Sequence, residues 1–276
     1  MKFTRGYSQS ADEAKRLISS AQTILVGAGA GLSTAAGLTY SGERFTKNFA
    51  DFAQKYGIRD MYSGGFYPFA TPEEYWAWWS RQIWLNRYNC PVGGVYVRLN
   101  RILQGKDYFV ITTNVDHQFR RAGFEKERLF YTQGDYGLFQ CSRPCTPATY
   151  DNYESIKAMV ESRGDMKIPS LLVPRCPVCG APMVPNLRVD DAFVEDEGWR
   201  AAARRYEKFI GKIDSNTVLL ELAVGANTPG IIKYPFWAMA REYGATYICV
   251  NKGESFAPQE ISDRSVCVDG GISAVI

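Results

Sequence analysis

Thr23-Ile24-Leu25-Val26-Gly27-Ala28-Gly29-Ala30-Gly31-Leu32-Ser33-Thr34-Ala35-Ala36 decides the fold. Its first four residues form an apolar, β-branched run that predicts a short buried strand. The glycines that follow allow a tight turn, and Ser33-Thr34-Ala35-Ala36 reads as the start of a helix. Together they make the first βα unit of a nucleotide-binding sheet, where backbone N–H groups at a helix N-terminus approach a phosphate. Alone this pattern is weak, because many cofactors, and plain tight turns, share it.

Upstream, Ser10-Ala11-Asp12-Glu13 is a capping box, Ser followed three residues on by Glu, and predicts a helix from about Ala11 to Ala21. Downstream, strand-like runs recur at Tyr108 to Thr113, Arg128 to Thr132, Thr217 to Val224, Thr246 to Val250 and Ser265 to Val268. Strands separated by helical spans predict the α/β class: a Rossmann-type parallel sheet with helices on both faces and a ligand crevice at its strand ends. The segments just past those ends are Thr112-Thr113-Asn114-Val115-Asp116, Gln133-Gly134-Asp135, Gly225-Ala226-Asn227 and Asn251. Within 1–276, the large part is expected over 11–44, 106–135 and 214–276. Insertions 45–105 (helical, aromatic) and 136–190 (a ribbon) form a smaller part. In the first insertion Thr71-Pro72-Glu73-Glu74 starts a helix with Pro at its first position. The run from Tyr75 to Trp84 reads as the core of that module more than as a stacking platform.

The 276 residues are 46% hydrophobic and 22% charged, an ordinary globular mixture that excludes disorder for the bulk of the chain. Lys and Arg number 32 against 29 Asp and Glu, too small and scattered a surplus to call for nucleic acid. No apolar run approaches the roughly 18 residues of a membrane span. The start, Met-Lys-Phe-Thr-Arg-Gly-Tyr, has no signal-peptide pattern. A cytoplasmic protein with neither membrane nor nucleic-acid partner is expected. There is one His, His117, so any mechanism needing several is excluded.

In a reducing compartment clustered cysteines suggest metal ligation. Cys141 and Cys145 form one pair, and Cys176-Pro177-Val178-Cys179-Gly180 is the tight turn of a zinc ribbon. Four thiolates make a closed tetrahedral site suited to one structural Zn²⁺, with no open position for catalysis. A redox Cys-x-x-Cys would leave the other pair unexplained. Cys90, Cys249 and Cys267 lie in apolar stretches and read as buried small hydrophobes.

The order of these features, Gly29-Ala30-Gly31-Leu32-Ser33 with Gly37, then Thr112 to Asp116, then a four-Cys ribbon, resembles a sirtuin from about Ala11 to the C-terminus. The resemblance implies an NAD-dependent enzyme. It places Ala28, Gly29, Ala30, Gly31 and Ser33 on the pyrophosphate, and Thr113, Asn114 and Asp116 at the nicotinamide ribose and carboxamide. Gly225, Ala226, Asn227 and Asn251 would contact ribose and phosphates. A helix N-cap is the competing role for Asp116.

Departures are informative. After Gly37, where most sirtuins carry Ile-Pro-Asp-Phe-Arg, the chain reads Leu38-Thr39-Tyr40-Ser41-Gly42, and an Arg-Phe pair appears only at Arg44-Phe45. Thr39, Tyr40, Arg44 and Phe45 are expected in a mobile loop over the cofactor. The family's acyl-peptide segment is altered to Phe193-Val194-Glu195-Asp196, and its His-Gly, whose His is the general base, is Gln133-Gly134. Gln cannot take a proton near neutral pH, but it can hydrogen-bond a ribose hydroxyl. His117 reads as a structural, hydrogen-bonded His. Deacylation needs the base; cleavage of the glycosidic bond and attack by an already nucleophilic acceptor, such as an ionised carboxylate, do not.

Asn114, Asp116 and Gln133 are therefore expected to carry ADP-ribosyl transfer. Within the family the combination resembles the macrodomain-linked class M. That resemblance implies a lipoylated carrier, similar to the glycine cleavage H protein, as acceptor, a macrodomain protein that removes the mark, and a link to oxidative stress. Competing readings are a weak deacylase or NAD hydrolase, and a non-catalytic module that senses NAD or ADP-ribose.

Overall fold

Six parallel strands form the central sheet of the computed structural model, which describes residues 7–225 and 229–276. They are β1 (Thr23–Ala28), β2 (Asp107–Thr112), β3 (Leu129–Tyr131), β7 (Thr217–Leu222), β8 (Thr246–Val250) and β9 (Ser265–Val268), in the order β3-β2-β1-β7-β8-β9. A second sheet is antiparallel, with β4 (Gly134–Cys141) between β5 (Tyr150–Asp151) and β6 (Met183–Leu187). The α/β expectation holds.

In β1, register places Leu25 between Phe109 and Leu219. Alternation sends Ile24, Val26 and Ala28 into one core and Leu25 into another on the opposite face. The first face carries α1 (Tyr7–Ser20), α2 (Ala30–Ala35), α6 (Gly94–Leu103) and α7 (Gln118–Arg121). The other carries α9 (Glu197–Ile210) and α10 (Lys233–Tyr243). Helix α1 begins a turn earlier than the capping box suggests, with Ser10 buried inside it. The Tyr7 ring packs on Gly270 so closely that a Cβ there would come within 2.3 Å.

A third core joins α3 (Glu43–Tyr56), α4 (Met61–Gly65), α5 (Pro72–Ile83) and α8 (Tyr153–Ser162) to β4 and β6. Trp76 and Trp78 are fully buried in it, Phe49 and Phe52 lie 4.5 and 5.1 Å from Trp78, and the aromatic run is core. Helix α6, expected in this insertion, instead packs Val95, Tyr96, Leu99 and Leu103 on the sheet. Helix α5 runs on into a π-helical turn, Trp84–Tyr88, a form found often at functional sites. No described helix is long and apolar enough to cross a membrane.

The lone cysteines are less apolar than expected. Cys90 is buried, yet Arg121 Nη1 donates to its Sγ at 2.9 Å. Cys249 donates to the buried Glu221 carboxylate at 3.5 Å, and Cys267 is half-buried.

Candidate active site

Sheet order reverses between β1 and β7, and crevices of open α/β sheets lie at that point. The turn after β1 is tied to the end of β7: the Gly29 N–H donates to the Leu222 carbonyl at 3.0 Å and the Gly31 N–H to the Ala223 carbonyl at 3.3 Å. A Cβ on Gly29 would come within 2.5 Å of the Ala223 carbonyl oxygen and 2.6 Å of Val224 Cα. The close approach of β7 thus engages both N–H groups within the protein. Ala28 is buried at the end of β1, whereas Ala30 is exposed at the start of α2. Gly29→Ala, whose new methyl group meets backbone rather than a movable side chain, lowers stability by about 1–3 kcal/mol, and the melting temperature falls by about 2–4 °C for each of these. Thermal unfolding measures it; an unchanged melt would show that the approach relaxes freely.

Under the turn, four polar side chains meet away from water: Ser33 from α2, Tyr96 from α6, and Asn114 and Asp116 from the segment after β2. Ser33 donates its hydroxyl to the Asp116 carboxylate and shares a 2.9 Å bond with the Tyr96 hydroxyl. Asn114 Nδ2 donates to the Gly29 carbonyl at 3.0 Å and to the Tyr96 hydroxyl at 3.2 Å. The N–H of Gln118 donates to Asp116 at 3.0 Å, an Asx-type turn ahead of α7, whose N-cap position is His117 and carries no side-chain cap bond. Burial pushes the Asp116 carboxyl above its usual range, and the charge of Asp135 pushes the same way, against the bonds from Ser33 and Gln118. Thr113, half-buried, donates its N–H to the Ala28 carbonyl at 3.2 Å.

Gln133 links β3 to β4 and is half-buried; its carbonyl accepts from the Arg188 N–H at 3.0 Å. Gly134, with φ +95°, crosses so near β6 that a Cβ would sit 1.9 Å from the Asn186 carbonyl oxygen. The Tyr136 N–H donates to the Val115 carbonyl at 3.0 Å, which brings the segments around Asp116 and Gln133 together.

Arg44 and Phe45 lie in α3 rather than in a loop, another correction. Arg44 Nη1 donates to Asn86 Oδ1 at 2.8 Å and to the Thr39 carbonyl at 3.0 Å, and Nη2 to the Leu85 carbonyl at 2.9 Å. Phe45 stacks on Phe49 at 5.8 Å in the third core. Its spacing with Phe49 and Phe52 is that of one helix face, which explains why the pair is drawn inward. Tyr40 shares a 2.7 Å bond with the Tyr136 hydroxyl, to which Gln82 Nε2 also donates at 3.0 Å. Gly225 is exposed, and Asn251 Nδ2 donates to the Val224 carbonyl at 3.1 Å. Ala226 and Asn227 lie outside the described residues.

His117 is set beside this cluster. Its φ is +63°, its ring stacks on Tyr131 at 5.5 Å, and Nδ1 pairs with Asp135 Oδ2. Burial tends to raise the Asp135 carboxyl, but the bonds and charges of His117 and Arg87 outweigh it and hold it at about 2. Both residues line a cleft of about 460 Å³ with Arg120, Lys126, Trp199 and Arg205. From the sequence His117 reads as structural, because its acid partner lies 18 residues on, past β3, and only the fold joins them.

Cys141, Cys145, Cys176 and Cys179 converge with all four Sγ atoms within 4.8 Å of one another. Four sulfurs at about 2.3 Å from a tetrahedral zinc stand about 3.8 Å apart, so the donor set fits that ion. Gly180, with φ +71°, closes the turn by donating its N–H to the Cys176 carbonyl at 2.9 Å.

No family model matches the chain. It is similar to a protein ADP-ribosyltransferase of Staphylococcus aureus strain Mu50, 40% identical over 272 residues that cover 98% of this chain and 86% of the relative. A Fusarium oxysporum f. sp. cubense protein, named a probable bifunctional ADP-ribose hydrolase/ADP-ribosyltransferase, is 33% identical over 95% of this chain and 46% of its own length. Among solved structures, a Sir2 homologue in complex with NAD superposes with a TM-score of 0.61 at 20% identity, over 96% of this chain and 90% of that one.

Proposed function

Because the chain belongs to the protein ADP-ribosyltransferases with the sirtuin fold, we propose that it moves ADP-ribose from NAD to a lipoylated carrier protein resembling the glycine cleavage H protein, releasing nicotinamide. The observation that carries the reading is the buried cluster of Ser33, Tyr96, Asn114 and Asp116 beside a Gln at position 133. NAD, when bound, supplies a glycosidic bond whose cleavage leaves an electrophilic C1′.

In this reading Asn114, fixed by Gly29 and Tyr96, orients the nicotinamide ribose, and Asp116 accepts from the carboxamide. Gln133 hydrogen-bonds a ribose hydroxyl. Ala28, Ala30, Thr39, Tyr40, Thr113, Gly225 and Asn251 line the cofactor, while Gly29 and Gly31 hold the turn against β7 and Arg44 and Phe45 support the site from α3. The first two cores make the cofactor part, and the third, with one structural zinc, the smaller part. An ADP-ribose hydrolase of the macrodomain kind fits as the partner that removes the mark, and the pairing of both activities in the name of the Fusarium relative supports it. A place in the oxidative stress response belongs to the same reading.

Label from NAD should pass to the lipoylated carrier at least about tenfold faster than to the same carrier without lipoate, since one lost anchoring contact of 1.4 kcal/mol is a factor of ten. Autoradiography of the carrier measures it. No transfer to a lipoylated carrier from the same organism would overturn this choice of acceptor.

A further inference from the structure

We infer that a hollow between α3, α5 and the end of α8 is a second ligand site, and that it takes a small organic phosphate monoester. The site stands independently of the transferase reading and of its acceptor, since none of Ser33, Tyr96, Asn114, Asp116 or Gln133 lines it.

The hollow holds about 400 Å³, within the range of small-molecule sites. Helix α3 gives it Lys47, Asn48 and Asp51, and α5 gives Arg81. The π-helical turn adds Trp84 and Leu85, and Arg163 enters from the residue after α8. Three cations thus meet one carboxylate.

That carboxylate is already spent. Arg81 grips Asp51 with both arms of its fork, Nη1 on Oδ1 at 2.6 Å and Nη2 on Oδ2 at 2.8 Å, and Nη1 also donates to the Asn48 carbonyl at 2.8 Å. Burial works against ionisation of Asp51, yet Arg81 holds its carboxyl below the usual range. The guanidinium cannot swing aside, because it lies over the Phe49 and Phe52 rings at 5.3 and 4.9 Å. Its Nε is buried without a partner.

Lys47 and Arg163 are left with no ion pair or side-chain hydrogen bond among the described residues. Burial and the charge of Arg81 push the Arg163 guanidinium below its usual range, with Asp51 too weak to restore it. A single exposed lysine is solvated and asks for nothing. Two unpaired cations beside a fixed Arg81, in one hollow, make a concavity with two positive charges in excess. A phosphate monoester carries nearly that negative charge at pH 7 and offers three acceptor oxygens, whereas a carboxylate carries half of it. Trp84 and Leu85, both half-buried, supply apolar surface for the ester group.

Phenyl phosphate and inorganic phosphate, titrated by calorimetry into the full-length zinc-loaded protein, test the site. Ionic strength is held constant, because salt screens the exposed Lys47 and Arg163. Phenyl phosphate should bind at least about threefold more tightly than inorganic phosphate, from the ring surface it buries. Lys47→Gln and Arg163→Gln should each weaken its binding about tenfold, the loss of one charge-assisted contact. Both side chains are exposed and unpaired, so both variants should melt as the wild type does. At ten times its Kd, phenyl phosphate should raise the wild-type melting temperature by about 3–6 °C. No binding by the wild type would overturn the site. Wild-type affinity in both variants would place the ligand elsewhere and overturn it equally, and equal affinity for the two phosphates would overturn the monoester.

Discussion

Asn114→Ala should lower the rate of nicotinamide release at least about 10²-fold, the usual consequence of losing the group that holds a reactant in line. Asn114 is 6% exposed, and its amide is fixed by two acceptors, the Gly29 carbonyl and the Tyr96 hydroxyl, before any ligand arrives. Its own N–H donates to Thr112 Oγ1 at 3.1 Å, so the backbone is set as well as the side chain. Truncation removes a group that joins the glycine turn, α6 and the end of β2. It also takes one donor from the Gly29 carbonyl, which keeps the Leu32 N–H, and one from the Tyr96 hydroxyl, which keeps Ser33, at a cost of about 1–3 kcal/mol. Activity should therefore collapse while the melting temperature falls by roughly 2–12 °C, at about 2–4 °C per kcal/mol. The two readouts separate a positioning group from a folding group: retained turnover would remove Asn114 from the chemistry, and loss of the folded state at 25 °C would make its role structural.

The sheet was legible because β-branched runs and glycine turns act locally; β1, β8 and β9 lie within two residues of their expected ends. What escaped depends on contacts between distant segments. Tyr7 meets Gly270, 263 residues on, and α6 leaves its insertion because Val95, Tyr96 and Leu99 find the sheet. In the site, Asn114 and Asp116 stand out by position at a strand end. Tyr96 has no such mark, since a Tyr on an amphipathic helix is indistinguishable from core until its hydroxyl is seen to reach Ser33 and Asn114. His117 and Asp135 are 18 residues apart and meet only because β2 and β3 are neighbours in the sheet. Arg44 misled for the opposite reason: an exposed-looking Arg after a polar loop is drawn inward by Asn86 and the Leu85 carbonyl.

Removing zinc should have the largest structural effect and should strike one part of the molecule. Cys141 and Cys176 are buried in the third core, whereas Cys145 and Cys179 are exposed and reach them from the ribbon turns. Binding of structural zinc in zinc-finger peptides is worth about 10–16 kcal/mol, comparable to the whole stability of a domain, about 5–15 kcal/mol. Without the ion, nothing else among the described cysteines cross-links the ribbon, since all seven are free. Loss should spread through Phe139 and Met183 to Trp76 on α5, because they share one core, and Phe139 meets Trp76 edge-on at 4.9 Å. The two cores flanking the parallel sheet contain none of the four ligands. Chelation with warming should therefore release one Zn²⁺ per chain and abolish the near-ultraviolet circular dichroism of Trp76, Trp78 and Trp79, while much of the far-ultraviolet signal of the sheet and its helices survives. Nicotinamide release should stop as well, since β4 begins at Gly134, beside Gln133 and Asp135. Cys176→Ser should reproduce the loss without chelator. A metal-free protein with wild-type aromatic signal would show that the four thiols pack on their own, and would remove zinc from the account of this fold.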